Sequence, residues 1–254
     1  MSRASEMLAW LWMSPQQRAT AFRDFAHREV ASAQSFLMRE GIYHGKLGPH
    51  DFQEDAIDRF ARVAIDEDRD DDDAVDAAHS LIVALSYAAR GSVPNGLLYA
   101  HACGSRVRAT LLKQSWVSGK SGSVLKLNAD GLDTIVDYFR EVNKSDLMDR
   151  DEIDLLNSVP GSLLIYRGAK MKDDLRKTAW SPSWTRDINT ARWFAEYGHG
   201  DGPGVVMAAE IPKDAILALW ETSGREPEVV VNPRRLRRIR IVEELSESRA
   251  ALAA

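Results

Sequence analysis

The chain has 254 residues and a net charge of −5 from 33 basic and 38 acidic side chains, with 44% apolar and 28% charged residues. That is the make-up of one large globular domain or two small ones, and the negative balance argues against indiscriminate attraction to phosphate backbones or anionic lipid. Cys103 is the only cysteine, which excludes an intramolecular disulfide and a cysteine-based zinc site.

The longest apolar run at the start, Met7 to Met13, is far short of the roughly 20 residues of a membrane span and lacks the flanks of a secretory signal. A cytoplasmic location where the protein is made is therefore expected, and no membrane partner. Ser14-Pro15-Gln16-Gln17 then places a capping serine before a first-turn proline, with a glutamine to close a capping box. Phe22, Phe25, Ala26, Val30, Ala33, Phe36 and Leu37 follow at helical spacing up to Gly41. Asp51 and Glu54 signal a second helix with Phe52, Ala56, Ile57, Phe60 and Ala64 on one face. A third helix is expected from Asp73 to Arg90 and a fourth from Gly96 to Val117, with Gly119 to Ser123 as a hinge or linker. Further helices are expected at Leu132 to Val142 and around Asp151 to Leu156.

Beyond these the chain turns strand-rich. Ser162 to Tyr166, Val205 to Ile211 and Glu228 to Val231 are apolar runs, and Arg237 to Val242 alternates. One helix interrupts them, capped by Asp187 and ended by Gly198, with Ile188, Ala191, Phe194 and Ala195 on its buried face.

Charge is unevenly spread. Asp66 to Asp76 holds eight acids and one arginine, yet Asp71 and Ala77 stand where a calcium loop needs glycine and glutamate, which favours a solvated inter-helix loop. Arg234 to Arg240 holds five arginines in seven residues, and a nucleic-acid strip competes there with a charge-protected edge strand. Gly119-Lys120-Ser121 lacks the upstream glycine of a phosphate-binding loop, and the glycines from Gly198 to Gly204 run from helix to strand, the wrong order for a dinucleotide site. No HExxH pair, GxSxG elbow or metal ligand set is present.

Three segments stand together in the strand-rich half: Tyr166-Arg167-Gly168, Ser183-Trp184-Thr185 ahead of the Asp187 helix, and Glu226-Pro227-Glu228 opening into Val229-Val230-Val231. In order and setting they resemble the R-S-E class of mono-ADP-ribosyltransferases. That class has an arginine at the end of its first core strand, an STS-type motif on a following strand, an A-x-x-F-A helix matched by Ala191 to Ala195, and an E-x-E or Q-x-E loop opening into an apolar strand. The resemblance spans about Ser162 to Val242. It implies an ADP-ribosyltransferase-like split β-sandwich for that part, and with the helices read from periodicity the chain is expected to be α+β, an N-terminal α-helical region followed by that sandwich. Residues 1–120 would be an α-helical domain or subdomain, 121–248 the catalytic domain and 249–254 a tail.

The residue types suit that chemistry. NAD presents a pyrophosphate, which fits the guanidinium fork of Arg167. Cleavage of the nicotinamide–ribose bond builds positive charge on the sugar, which a carboxylate such as Glu228 stabilises. The resemblance implies that Glu228 also hydrogen-bonds a ribose hydroxyl. Ser183 would orient Glu228 and reach the substrate, with Thr185 as support, although the register Ser181-Pro182-Ser183 competes. Glu226, two residues before Glu228, suits the general base that deprotonates an attacking arginine, and Pro227 restricts it to extended conformations. Trp220 is either an acceptor-facing aromatic or a core residue. Phe194 and Trp184 suit stacking on nicotinamide, although Phe194 equally fits the buried face of its helix.

The expectation is therefore a mono-ADP-ribosyltransferase that uses NAD as co-substrate, without a metal, and acts on a macromolecular acceptor, protein arginine first. Glu228, Glu226 and Ser183 would be catalytic; Arg167, Ser183, Thr185, Phe194 and Glu228 would bind NAD; Trp220 and Glu226 would meet the acceptor. The alternatives are an NAD glycohydrolase, a nucleic-acid ADP-ribosyltransferase favoured by the arginine run, and a non-catalytic binding module. The helical half is expected to carry no chemistry of its own, with recognition of the target, cover for the NAD site or binding of a partner such as an inhibitor as its open roles.

Overall fold

The computed structural model describes residues 9–39, 46, 48–66, 68–85, 89–99, 101–118, 132–171, 175–198, 202–221 and 227–245. The chain mixes helices with small antiparallel sheets and divides into two compact units, Met1–Leu147 and Met148–Ala254. The expected linker at Gly119 to Ser123 and the tail lie outside the described residues. The division instead follows Leu147, because Trp116 packs edge-on against Phe139 at 5.2 Å and Tyr138 Oη donates to Asn95 Oδ1 at 3.0 Å. The helix carrying Tyr138 and Phe139 thus belongs with the first unit.

The first unit is helical: α1 (Pro15–Arg39), α2 (Asp51–Val63), α3 (Asp72–Ala84), α4 (Ala89–Tyr99), α5 (Ser105–Ser118), α6 (Leu132–Glu141) and α7 (Lys144–Leu147). The capping box holds, with Ser14 N–H donating to Gln17 Oε1 at 2.9 Å. Trp10, Phe22, Phe25 and Phe60 form the aromatic centre of the core, with Trp10 edge-on to Phe25 at 5.7 Å and Phe22 tilted on Phe60 at 5.1 Å. Burial of each such ring contributes roughly 1.5–3 kcal/mol. Phe36 and Phe52, expected in the buried stripes, are exposed. The α2 N-cap is His50 rather than Asp51, its N–H donating to Gln53 Oε1 at 3.0 Å.

The expected third and fourth helices are redrawn as α3, α4 and α5. Leu85 leaves the helix in an extended conformation, and between α4 and α5 His101 takes φ 47°. Asp70 explains the second break. Its Oδ1 accepts the N–H groups of Arg106 (2.8 Å) and Val107 (3.1 Å), and a side chain at Gly104 would put a Cβ 2.6 Å from that oxygen. Asp71 caps α3 through Ala74 N–H at 2.9 Å, Asp72 pairs with Arg106 at 2.8 Å and Asp73 with Arg59 at 2.8 Å. The acidic run is thus more than a solvated loop: two of its carboxylates cap helices. Cys103 is buried, and burial pushes its thiol up to about 12.

The second unit opens with α8 (Arg150–Ser158), where Asp149 and Glu152 form a capping box. In one sheet β1 (Ser162–Lys170) and β6 (Arg237–Glu244) flank β3 (Gly204–Pro212); in the other β2 (Ser183–Trp184) and β4 (Ile216–Trp220) flank β5 (Glu228–Val231). A short helix, α9 (Leu175–Ala179), precedes β2. Tyr166 and Thr185 link the sheets through paired backbone bonds of 2.7 and 2.9 Å. The last helix, α10 (Ile188–Tyr197), lies on β1 and β3. A Cβ on Gly168 would collide with the backbone of Ala191 and Ala195, and one on Gly204 with the Ala195 carbonyl. The helix therefore rides close, with Ala191 and Ala195 buried beneath it and Ile188 packed against them, while Phe194, expected on the buried face, is turned to the flank with 38% exposure.

The arginine run forms the edge strand β6. Its register against β3 shifts twice, between Val206 and Met207 and between Ala208 and Glu210, and Arg238 takes φ 52°. Such bulges spoil an edge for further pairing. Among the described residues, no helix is long and apolar enough to cross a membrane, and no cluster of three His, Cys, Asp or Glu residues is arranged to hold a metal.

Candidate active site

The two sheets meet where the sequence motifs sit. Arg167 lies two residues before the buried Ala169 on β1, is half-buried, and donates from Nη1 to the Ser183 backbone carbonyl. Ser183 opens β2 opposite Val230, and its hydroxyl donates to Glu228 Oε1 at 2.6 Å. Glu228 opens β5, where its partner in register is Trp220, the last residue of β4. One serine therefore joins the other two residues, its carbonyl to the guanidinium and its hydroxyl to the carboxylate. At 2.6 Å the second bond has the length of an O–H donor on an ionised carboxylate, about 2.5–2.7 Å.

Local chemistry fixes this arrangement. Thr185 is buried, holds Tyr166 through its backbone, and accepts the Asp187 N–H on Oγ1 at 3.1 Å. Asp187 caps α10 through the N–H groups of Asn189 (3.0 Å) and Thr190 (3.1 Å) and accepts the Thr190 hydroxyl at 2.8 Å. The Asn189 N–H first, then the Thr190 hydroxyl, hold its carboxyl below the usual range. Ser181 accepts the Ser183 N–H at 3.4 Å, so of the two serines it is Ser183 that reaches the glutamate.

The remaining candidates are placed as follows. Trp184 is buried, its indole N–H donating to the Ser181 carbonyl at 2.8 Å, so it packs rather than stacks on a ligand. Trp220 is 3% exposed, which matches the core role. Phe194 stands partly exposed on α10, edge-on to Trp193 at 5.1 Å. Glu226 lies outside the described residues. Sequence reasoning missed a pair beside the motifs: Arg186 Nε meets Glu221 Oε1 at 2.7 Å, both half-buried. No local pattern announces it, since the two are 35 positions apart in sequence.

No family model, curated protein or solved structure matches the chain. The functional reading therefore rests on the residues themselves.

Proposed function

We propose that the unit Met148–Ala254 is a mono-ADP-ribosyltransferase domain, its two sheets forming the split β-sandwich of that class, and that it transfers ADP-ribose from NAD to a macromolecular acceptor. The observation that carries this reading is the Arg167–Ser183–Glu228 chain of hydrogen bonds, one residue from each motif.

The donor set fits NAD. A half-buried guanidinium suits a pyrophosphate, and a carboxylate held on a strand suits a sugar that becomes positively charged. When bound, NAD supplies an activated glycosidic bond with nicotinamide as leaving group. Arg167 holds the phosphates. Ser183 orients Glu228, and Glu228 stabilises the positive charge on the ribose as the bond breaks. Glu226 takes the proton of the attacking group, which selects a guanidinium acceptor on protein. Thr185 supports the strand, and Phe194 offers a partly exposed ring for nicotinamide.

The test is nicotinamide release from NAD by purified protein, with labelled-NAD transfer in cell lysate read in parallel. Glu228→Gln is expected to cut release at least about a hundredfold, the scale of losing a preorganised charge-stabilising group. Glu226→Gln is expected to keep release and lose transfer. Release without transfer in any lysate would make the protein an NAD glycohydrolase; neither activity, in folded protein, would leave a non-catalytic binding module.

A further inference from the structure

We propose that the surface shared by α10 and β6 binds single-stranded nucleic acid, its bases stacking on Trp193 and Tyr197 and its phosphates pairing with Arg237 and Arg240. The inference goes beyond the NAD reading and does not depend on it.

The aromatic half of this surface is unusual for a ten-residue helix. Trp193 and Tyr197 are 49% and 60% exposed, and their ring centroids lie 5.9 Å apart. Neither is needed beneath the helix, where Ala191 and Ala195 fill the space against the sheet. At about 100° per residue, Arg192 follows the buried Ala191 on one flank, Trp193 and Tyr197 occupy the outer side, and Phe194 the opposite flank. Exposed rings grouped in this way mark a contact surface.

The basic half lies on the same side of the sheet. In register, Glu243, Arg240 and Arg237 oppose Val206, Ala208 and Glu210 of β3, which alternate onto the face where Gly204 meets Ala195. Arg192 reaches across to Glu243 with two bonds of 2.8 and 2.5 Å, fixing the aromatic helix to the arginine strand. Arg238 is taken by Glu210 at 2.8 Å, and Arg235 by Asp214 at 3.0 Å. Arg237 and Arg240 are exposed and have no carboxylate at ion-pair distance among the described residues. Edge protection needs charge of either sign and is already provided by the two bulges, so it does not explain cations beside an aromatic ledge.

The occupant follows from the pairing of charge with flat rings. An acidic peptide would satisfy the arginines and leave the rings without a role. A duplex offers phosphates but hides its base faces. A single strand offers both phosphates and unstacked bases, the combination that aromatic platforms in cationic grooves take up.

The experiment uses the full chain without NAD and a fluorescein-labelled oligouridine of about twelve nucleotides, a length within the site sizes of such surfaces. Anisotropy is followed from about 50 to about 200 mM salt. Binding is expected to weaken with salt. Arg237→Glu with Arg240→Glu is expected to weaken it further and to reduce the log–log salt slope by about 0.7 for each phosphate left without its arginine. Trp193→Ala with Tyr197→Ala is expected to cost about tenfold or more, and Trp193→Phe with Tyr197→Phe to restore most of it. All variants keep the wild-type circular dichroism, and the arginine variant keeps whatever NAD cleavage the wild type shows. Failure of wild-type protein to bind at low salt overturns the proposal. So does displacement of the oligonucleotide by polyglutamate as readily as by unlabelled RNA, tighter binding of a duplex, or indifference to the aromatic substitutions.

Discussion

Ser183 shows how much one small residue can do at a strand start. Its carbonyl belongs to the backbone and survives any substitution, whereas the hydroxyl on Glu228 does not. Ser183→Ala is therefore expected to leave the Arg167 bond in place and remove the hydroxyl's bond to the carboxylate. A hydrogen bond to a charged group is worth about 1.5–3 kcal/mol, so kcat for nicotinamide release should fall roughly ten- to hundredfold with KM for NAD little changed. Single-turnover kinetics of the serine and alanine proteins check this; an unchanged kcat would remove Ser183 from the mechanism. Arg167, Ser183 and Glu228 are legible in the sequence because each sits where an apolar strand begins or turns polar. Phe194 is not, because its own spacing does not encode how closely the helix approaches Gly168 and Gly204 on the sheet.

Among the elements, α10 is legible almost to the residue, because its start and stop are local chemistry: an aspartate cap and a terminal glycine. The cap also makes the helix responsive to acid. Asp187 titrates lower in the folded than in the unfolded chain, so its contribution is complete above the unfolded value, near pH 4, and is lost as pH falls through the folded one. Asp187→Ala is expected to cost about 1 kcal/mol at neutral pH, with the gap to wild type closing on acidification below about pH 4. Urea unfolding at several pH values measures it.

The helices α4 and α5 escape a sequence reading for the complementary reason: their boundary depends on Asp70, more than thirty positions before the N–H groups it caps. The Arg186–Glu221 pair is equally nonlocal, joining the segment after β2 to the residue after β4. Arg186→Glu is expected to lower transfer more than nicotinamide release, because Glu221 leads into the segment that carries Glu226. Exchange of both charges, Arg186→Glu with Glu221→Arg, should recover most of the missing transfer. Equal losses in both activities, without recovery, would reduce the pair to a structural role.

For the whole molecule, every residue assigned to the chemistry comes from the 107 residues after Leu147, while the first unit builds its own aromatic core. The mixture of helix and sheet is legible because long helical stripes give way to short apolar runs bounded by turn residues. The allotment of α6 to the first unit is not, since it depends on Phe139 and Tyr138 meeting Trp116 and Asn95 across positions outside the described residues. The doubled bulge in β6 is also expected to limit pairing between copies of the chain. With Arg238 deleted, the strand would lose its left-handed residue and run flatter from Arg237 through Ile239 to Ile241, whose side chains are already half-exposed. Sedimentation of that variant at rising concentration should show self-association that the wild type resists. On that expectation the left-handed residue works with the second bulge to keep the edges of neighbouring copies from pairing.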